Sequence, residues 1–169
     1  TLELLGLPES VKDLALSDEG GLILVCGPYG SGKSSTLAAL VDVINRERRR
    51  TIVTLESPIE FVIENDHSII RQREVGNDVL SHAEGLRQAL LHDADVVMVS
   101  EVTRRETAQM VLHAAEKGLL VLAAMPAPSV RTIRSSKCAK GGSGRATAAR
   151  TSSSRQRAQC SLGRRWMLF

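Results

Sequence analysis

The sequence predicts an α/β fold with a mostly parallel sheet flanked by helices. Apolar runs without alternation, at residues 22–26 and 95–100, are typical of strands that are buried on both faces of a parallel sheet. Segments with apolar residues at helical spacing separate these runs. Alternation of this kind forms right-handed βαβ units, whose strands are parallel. The pattern stops near residue 134.

Each predicted element rests on its apolar spacing and on the residues at its ends. Pro8 and Ser10 precede the first helix, and Ser81 is the expected N-cap of the third. Thr103, with Glu106 three residues later, is a capping-box signature before the fourth helix. The predicted strands are residues 22–26, 51–55, 61–63, 68–71, 95–100 and 119–124. The predicted helices are residues 11–16, 33–49, 82–91 and 104–117.

Charge divides the chain into unlike parts. The whole chain carries 22 basic and 19 acidic side chains, a net charge of +3. Residues 1–130 hold 12 of the basic and all 19 acidic side chains, whereas residues 131–169 hold 10 basic side chains and no acidic one. We therefore divide the chain into an N-terminal linker and helix (1–20), the α/β core (21–134) and a basic low-complexity tail (135–169).

The tail is rich in Ser, Gly, Ala and Arg and has no apolar periodicity before residues 166–169. Such a segment cannot bury enough apolar surface to offset its ordering entropy, so we expect it to be disordered. A shift of reading frame near residues 125–135 is our hypothesis for its origin, because out-of-frame translation of a GC-rich gene gives this composition. The alternative is a natural basic tail that binds acidic lipid headgroups. The first residue, Thr1, leads us to expect an N-terminus that is truncated or processed.

Composition excludes several classes of function. No apolar run approaches the roughly 18 residues of a membrane span, so we expect no integral membrane segment. The chain has one Trp, one Tyr and two Phe, too few for stacking on single-stranded nucleic acid, and we expect no nucleic-acid partner. Cys26, Cys138 and Cys160 form no disulfide or zinc pattern, and no signal peptide is present, so we expect a reducing, cytoplasmic setting.

Residues 27–34 match the phosphate-loop pattern G-x-x-x-x-G-K-[ST] between a predicted strand and a predicted helix. Glycine permits close backbone approach, successive N–H groups point at the phosphates, and the helix N-terminus favours an anion. Lys33 is expected to reach the β- and γ-phosphates of ATP, and the Ser34 hydroxyl to bind Mg²⁺. The predicted nucleotide-binding residues are Gly27, Pro28, Tyr29, Gly30, Ser31, Gly32, Lys33, Ser34 and Ser35.

Three further segments accompany the phosphate loop: residues 54–61 (TLESPIEF), 72–76 (QREVG) and 95–101 (DVVMVSE). Together they resemble the secretion and type IV pilus ATPases, the GspE/PilT type, and most closely its pilus-retraction or twitching-motility branch. The resemblance spans residues 4–123. It implies a RecA-like P-loop NTPase core, incomplete here at the C-terminus, and ATP hydrolysis with Mg²⁺. It also implies a hexameric ring that works on an inner-membrane platform protein.

The resemblance assigns roles to three glutamates. Glu56 is similar to the general base that polarises the attacking water, with Glu60 as the second candidate. Glu101 is similar to the acid that holds Mg²⁺ through water. Without the resemblance, Glu56 could cap a turn and Glu101 could act on the dipole of the next helix. The candidates for a cation offered to a neighbouring subunit's nucleotide, or otherwise for solvated surface arginines, are Arg71, Arg73 and Arg87.

The chain also departs from the family pattern around the same site. The departing positions are Ser57, Ser100, residues 103–105, Leu119 and Pro126. The family has an acid at the first position, glycine at the second and histidine at the last two. Proline offers no side-chain donor to a γ-phosphate. The histidines that remain, His67, His82, His92 and His113, are expected on the surface.

We therefore expect a motor ATPase of type IV pilus retraction, or of related type II secretion, with intact ATP binding and weak or absent turnover. One alternative is a catalytically degenerate nucleotide-binding subunit that modulates an active paralogue within its hexamer. Another is a small-molecule P-loop kinase, for which the sequence shows neither an acceptor pocket nor an arginine-bearing lid. The expected location is the cytoplasm, with peripheral contact to the inner membrane.

Overall fold

The computed structural model describes residues 9–126 and the backbone of three short strands that follow. The helices are α1 (Glu9–Ala15), α2 (Lys33–Glu47), α3 (His82–Leu91) and α4 (Arg105–Glu116). The strands are β1 (Gly21–Gly27), β2 (Thr51–Glu56), β3 (Ile69–Glu74), β4 (Val96–Val99), β5 (Leu120–Pro126), β6 (Thr147–Ala148), β7 (Gln156–Gln159) and β8 (Arg165–Leu168). Among the described helices, none has the length and apolar character needed to cross a membrane.

The strands form one sheet in the order β3-β2-β4-β5-β1-β8-β7-β6. Strands β1 to β5 are parallel to their neighbours throughout. The predicted α/β fold with a mostly parallel sheet is therefore confirmed. Because these strands are parallel, the carboxyl ends of β1, β2 and β4 lie at one edge of the sheet, where ligands bind in open α/β folds.

Both faces of the sheet are covered by helices. In β1, Leu22 and Leu24 belong to the apolar cluster that contains α3 and α4, whereas Ile23 and Val25 belong to the cluster that contains α1 and α2. This alternation follows from the two-residue period of a strand. The inner strands β1, β4 and β5 therefore have no solvent-facing side, which explains their continuous apolar runs in the sequence.

The predicted strand at residues 61–63 is wrong. Phe61 and Val62 are exposed, and the backbone of this segment bonds a side chain instead of a neighbouring strand. The Gln72 amide donates to Phe61 O (2.8 Å) and accepts from Ile63 N (2.9 Å). One glutamine on β3 therefore holds the segment in an irregular path beside the sheet.

Asn45, a buried polar residue of α2, fixes the continuation of this loop. Its Nδ2 donates to Glu64 O (2.8 Å), and its Oδ1 accepts from Asp66 N (3.1 Å). Buried amides need such partners, because an unsatisfied polar group costs about 1–3 kcal/mol. The loop after β2 is therefore attached both to α2 and to β3.

The predicted capping box before α4 is also wrong. The N-cap residue of α4 is Arg104, and no side chain caps this helix. Glu106 instead accepts a hydrogen bond from Arg87 of α3 (2.9 Å), so it links two helices. Ser81 is the N-cap of α3, as predicted, and its Oγ accepts from Glu84 N (3.2 Å).

Strand β8 pairs in parallel with β1, and β7 pairs in antiparallel fashion with both β6 and β8. The sequence predicts no element in this segment. Apart from the backbone of these three strands, residues 127–169 lie outside the described residues, as do residues 1–8. The predicted disorder of residues 135–169 and the predicted truncation before residue 1 therefore stay predictions.

Candidate nucleotide-binding site

The phosphate loop connects β1 to α2 at the carboxyl edge of the sheet. Gly30 and Gly32 have φ angles of 77° and 83°, in the left-handed region where a side chain is costly. A Cβ on Gly27 would lie 2.5 Å from Ser31 Oγ. The three glycines of the motif therefore permit a tightly curled backbone that other residues would strain.

Lys33, the first residue of α2, folds back over this loop. Its Nζ donates to Pro28 O at 2.7 Å, and the Ser31 hydroxyl donates to the same carbonyl at 2.8 Å. The ammonium also lies 5.3 Å from the centroid of the Tyr29 ring, within the range of a cation–π contact. Within the described residues its charge has no carboxylate partner, so it is available to an anionic ligand.

Tyr29 connects the phosphate loop to Glu101, which lies two residues after the end of β4. The residue is 78% exposed, and its hydroxyl donates to Glu101 Oε1 at 2.9 Å. This hydrogen bond, reinforced by the negative charge of Glu101, raises the pKa of the Tyr29 phenol. The phenol therefore stays protonated at neutral pH and remains a hydrogen-bond donor.

Glu56, the last residue of β2, and Glu60, in the loop that follows, have different surroundings. Glu56 is buried, and its Oε1 accepts from Thr54 Oγ1 (2.7 Å) and from Gln72 Nε2 (3.1 Å). Glu60 is exposed, and its Oε1 accepts from Ser34 Oγ at 3.3 Å. The protein thus fixes Glu56 between two strands, while Glu60 contacts the serine that the motif assigns to Mg²⁺. Thr54 lies two residues before Glu56 on the same strand, whereas Gln72 contacts Glu56 from the neighbouring strand β3, a cross-strand contact that local spacing in the sequence does not indicate.

These side chains line a cavity of about 410 Å³. The loop and the first turn of α2 form one wall, and the residues after β2 and β4 form the other. The predicted site residues in the lining are Tyr29, Gly30, Gly32, Lys33, Ser34, Ser35, Glu56, Glu60 and Glu101. The structure therefore brings all three predicted glutamates to the phosphate loop. Gly27, Pro28 and Ser31 belong to the loop but are not in the lining.

The arrangement fits the phosphates of a nucleotide with a divalent cation. No atom lies within 4 Å of where a Cβ on Gly30 or Gly32 would be, so the loop leaves that space open. Ser34, Glu60 and Glu101 supply the oxygen donors that Mg²⁺ prefers. The described residues contain no group of three His, Cys, Asp or Glu side chains that could hold a metal alone. A metal ion here would therefore share phosphate oxygens and water, as Mg²⁺ commonly does.

The three arginine candidates do not join this site within one chain. Arg71 is exposed on the edge strand β3, and Arg73 bonds a side chain of α3 (2.6 Å). Arg87 pairs with Glu84 (3.0 Å) and Glu106 (2.9 Å), and these hydrogen bonds raise the pKa of its guanidinium. None of the three is in the cavity lining that the structure describes. A role toward a neighbouring subunit stays a prediction.

His82 is not the surface residue that the sequence predicts. It is half-buried at the start of α3, and its Nε2 lies 3.3 Å from the hydroxyl of Ser100, a residue in the cavity lining. Burial lowers the pKa of the imidazole; the negative charge of Glu101 opposes this shift and the positive charge of Arg104 adds to it. The other histidines are exposed as predicted: His67, His92 and His113. Only the serine in place of the family's glycine could have drawn attention to this pair.

Pro126 ends β5 beside Gly27 in the sheet register. The position where the family pattern has a histidine therefore lies against the phosphate loop. A proline there has no side-chain group that could donate a hydrogen bond.

Several known proteins have sequences similar to this chain. The family described as Type II/IV secretion system protein matches residues 5–133. The type IV pilus retractation ATPase PilT of Pseudomonas aeruginosa is 48% identical over 122 residues, which are 72% of this chain and 35% of that protein. The uncharacterized protein YggR of Escherichia coli is 46% identical over 124 residues, 73% of this chain and 38% of that protein.

Solved structures agree with this relationship. A crystal structure of the pilus retraction motor PilT with bound ADP superposes with a TM-score of 0.73 at 45% identity, covering 76% of this chain and 38% of that chain. The ATPase DotB of Legionella pneumophila superposes with a TM-score of 0.75 at 30% identity, covering 85% of this chain and 40% of that chain. The chain spans between 35% and 40% of the length of these four proteins. It belongs to the type II/IV secretion system protein family.

Proposed function

We propose that this chain binds ATP with Mg²⁺ and is an ATPase core of the type IV pilus retraction or type II secretion class. The observation that carries the proposal is one cavity in which Lys33 and the glycine loop face Glu60 and Glu101. The crystal structure of PilT contains ADP, which supports nucleotide as the ligand of the same fold.

When ATP binds, contacts with the nucleotide replace hydrogen bonds that the side chains of the cavity now make within the chain. Lys33 leaves the Pro28 carbonyl for phosphate oxygens, and backbone N–H groups of the loop bond the phosphates at the start of α2. The residues that would hold Mg²⁺ are Ser34, whose hydroxyl would leave Glu60, and Glu101, which would act through water. When bound, Mg²⁺ neutralises charge that develops on the transferred phosphoryl group.

We assign the orientation of the attacking water to Glu60 in preference to Glu56. A residue in this role must reach a water molecule beside the terminal phosphate. Glu60 is exposed and contacts Ser34, whereas one oxygen of Glu56 already accepts two hydrogen bonds in a buried position. Glu56 then acts as a positioning residue, because Gln72 bonds both its carboxylate and the backbone of Phe61.

We expect weak turnover, because Pro126 has no donor for the charge on the transferred phosphate. Loss of one such donor commonly lowers kcat about 10²–10³-fold. The same observation favours a second candidate function, in which the chain binds nucleotide without hydrolysis and modulates an active paralogue. Under either function, the family resemblance leads us to propose a hexameric ring that acts on an inner-membrane platform protein from the cytoplasm.

The proposal is tested by titrating the purified chain with ATP and ADP in a calorimeter and by measuring steady-state phosphate release. The comparison variants are Lys33→Ala, Glu60→Gln and Glu56→Gln. We expect Lys33→Ala to weaken ATP binding at least about tenfold, since it removes a charged partner of the phosphates. Glu60→Gln should keep ATP binding and abolish the residual phosphate release. His113→Ala, at an exposed position of α4, serves as the matched control.

Each alternative has its own result. Binding of ATP without phosphate release, together with co-purification of an active paralogue, favours the modulating subunit. Brisk release that Glu56→Gln abolishes and Glu60→Gln leaves intact would reverse the assignment of the two glutamates and contradict the expected loss of turnover. Failure of the wild-type chain to bind either nucleotide would overturn the proposed function.

A further inference from the structure

The wall of the cavity opposite the phosphate loop includes Ser100, which carries a hydroxyl group. Ser100 stands between β4 and Glu101. Its backbone is fixed, because Ser100 N donates to Leu55 O at 2.9 Å and the nearby Val102 N donates to Ala124 O at 2.8 Å. The second bond holds this segment against the end of β5.

His82 supports that hydroxyl from behind. Its Nε2 lies 3.3 Å from Ser100 Oγ, and His82 itself is not in the cavity lining. His82 is the first residue of α3, and the Ser81 side chain caps the N-terminus of this helix. A half-buried imidazole at a capped helix start has a restricted position, so it can hold the hydroxyl in one orientation.

We propose that Ser100, positioned by His82, donates a hydrogen bond to the terminal phosphate of a bound nucleoside triphosphate. In this arrangement His82 donates through Nε2–H to Ser100 Oγ. The hydroxyl proton is then free to point into the cavity and bond a γ-phosphate oxygen. No covalent bond forms or breaks in this contact. The inference rests on the proposed function and adds a residue that distinguishes triphosphate from diphosphate.

Of the three phosphates of ATP, the γ-phosphate is the one that we expect to lie within reach of the Ser100 hydroxyl. The N–H groups of the loop take the phosphates nearest to the start of α2, and Lys33 reaches outward from them. Glu101, the residue next to Ser100, already contacts the loop through Tyr29 at 2.9 Å. Ser100 also stands beside the end of β5, where Pro126 has no side-chain donor. A neutral hydroxyl therefore supplies a donor near the place where that strand supplies none.

The test compares the affinities of ATP and ADP, with Mg²⁺ present, by calorimetry. We expect Ser100→Ala to weaken ATP binding about three- to tenfold, the usual effect of losing one hydrogen bond, and to change ADP binding less than about twofold. Ser100→Thr keeps a hydroxyl and should restore the preference for ATP. Ser100→Gly, a second removal of the hydroxyl with a different effect on the backbone, should behave as Ser100→Ala.

The role of His82 is tested in the same measurement. His82→Ala should reduce the ratio of ATP to ADP affinity in the wild-type background and have no further effect in the Ser100→Ala background. His113→Ala, on the exposed face of α4, is the control and should change neither affinity. A structural role of either residue would move both affinities together.

Three results overturn the inference. The first is an unchanged ATP-to-ADP ratio in Ser100→Ala with wild-type binding intact, which leaves the proposed function standing. The second is independent, additive effects of His82→Ala and Ser100→Ala, which would separate the two residues. The third is a wild-type chain that binds neither nucleotide, in which case the proposed function fails as well.

Discussion

At the scale of single residues, the polar side chains of the cavity are held by the protein's own atoms. The bonds are Lys33 to Pro28 O, Ser34 to Glu60 and Tyr29 to Glu101. A nucleotide with its metal ion must break these bonds before it makes its own, so their free energy is subtracted from its affinity. The bond from the Tyr29 phenol can be removed by deleting one oxygen atom.

Tyr29→Phe should therefore strengthen the binding of ATP with Mg²⁺. The ring that lies 5.3 Å from Lys33 Nζ is kept, while Glu101 is released toward the metal site. We expect a gain of about two- to fivefold, at the low end for a hydrogen bond to a charged group because Tyr29 is exposed. Calorimetric titration with Mg²⁺ measures the gain, and the same titration with EDTA is the control. Weaker binding under both conditions would show instead that the phenol contacts the nucleotide.

At the scale of elements, the sequence predicts the strands that are packed between the two layers of helices. Strands β1, β4 and β5 are found where apolar runs predict them, because burial on both faces leaves a pattern that a local window detects. The segment 61–63 has the same apolar character, yet its backbone is held by Gln72. A partner that is distant in sequence cannot be found from local spacing.

The candidate site was predictable to a similar extent. The phosphate loop could be found from its motif and the three glutamates from the family resemblance, and the structure places all of them where strands end at one edge of the sheet. The pairing of His82 with Ser100 could not, because it depends on how α3 sits behind β4. The different burial of Glu56 and Glu60 also depends on tertiary contacts.

Gly85 controls how closely α3 approaches β2. A Cβ at this position would lie 2.5 Å from Leu55 Cδ2 and 3.0 Å from Leu55 Cδ1, and Leu55 is fully buried. Gly85→Ala gains about 1 kcal/mol of helix propensity but overpacks the core at a cost of about 1–3 kcal/mol. We expect a net loss of about 1 kcal/mol in the free energy of unfolding, measured by urea denaturation.

The matched control shortens the side chain that Gly85 faces. In a Leu55→Val background the added methyl has more room, so Gly85→Ala should cost less there than in the wild-type chain. Equal costs in both backgrounds would show that close packing at this helix does not set the effect.

At the scale of the whole molecule, the burial of His82 makes folding stability depend on pH. Burial lowers the pKa of this imidazole below its ordinary value of 6.5, with Glu101 opposing the shift and Arg104 adding to it. Below that value the unfolded chain takes up a proton that the folded chain resists, so the unfolded state is favoured. The contribution of His82 is therefore fully present above about pH 6.5 and is lost as the pH falls.

Urea denaturation of the wild-type chain and of His82→Gln at pH 7.5 and pH 5.5 checks this dependence. Between these two pH values the wild-type chain should lose more stability than His82→Gln, because only the wild-type chain carries the half-buried imidazole. His92→Gln, which removes an exposed histidine, is the control and should follow the wild-type chain. An identical loss in wild type and His82→Gln would contradict the expectation.

The net charge of +3 conceals a change in charge along the chain, and this change lies close to the end of the family match. The match ends at residue 133, and every residue from 131 onward that carries a charge is basic. A reading-frame shift near residues 125–135 explains both facts together. We therefore predict that another reading frame of the gene, past about codon 130, encodes further sequence similar to the helices and strands of this family. Translation of the two other frames is the measurement. If neither frame encodes such a sequence, the frameshift hypothesis is wrong and the basic residues form the natural tail. The full chain should then bind vesicles of anionic lipid in low salt and release them in high salt.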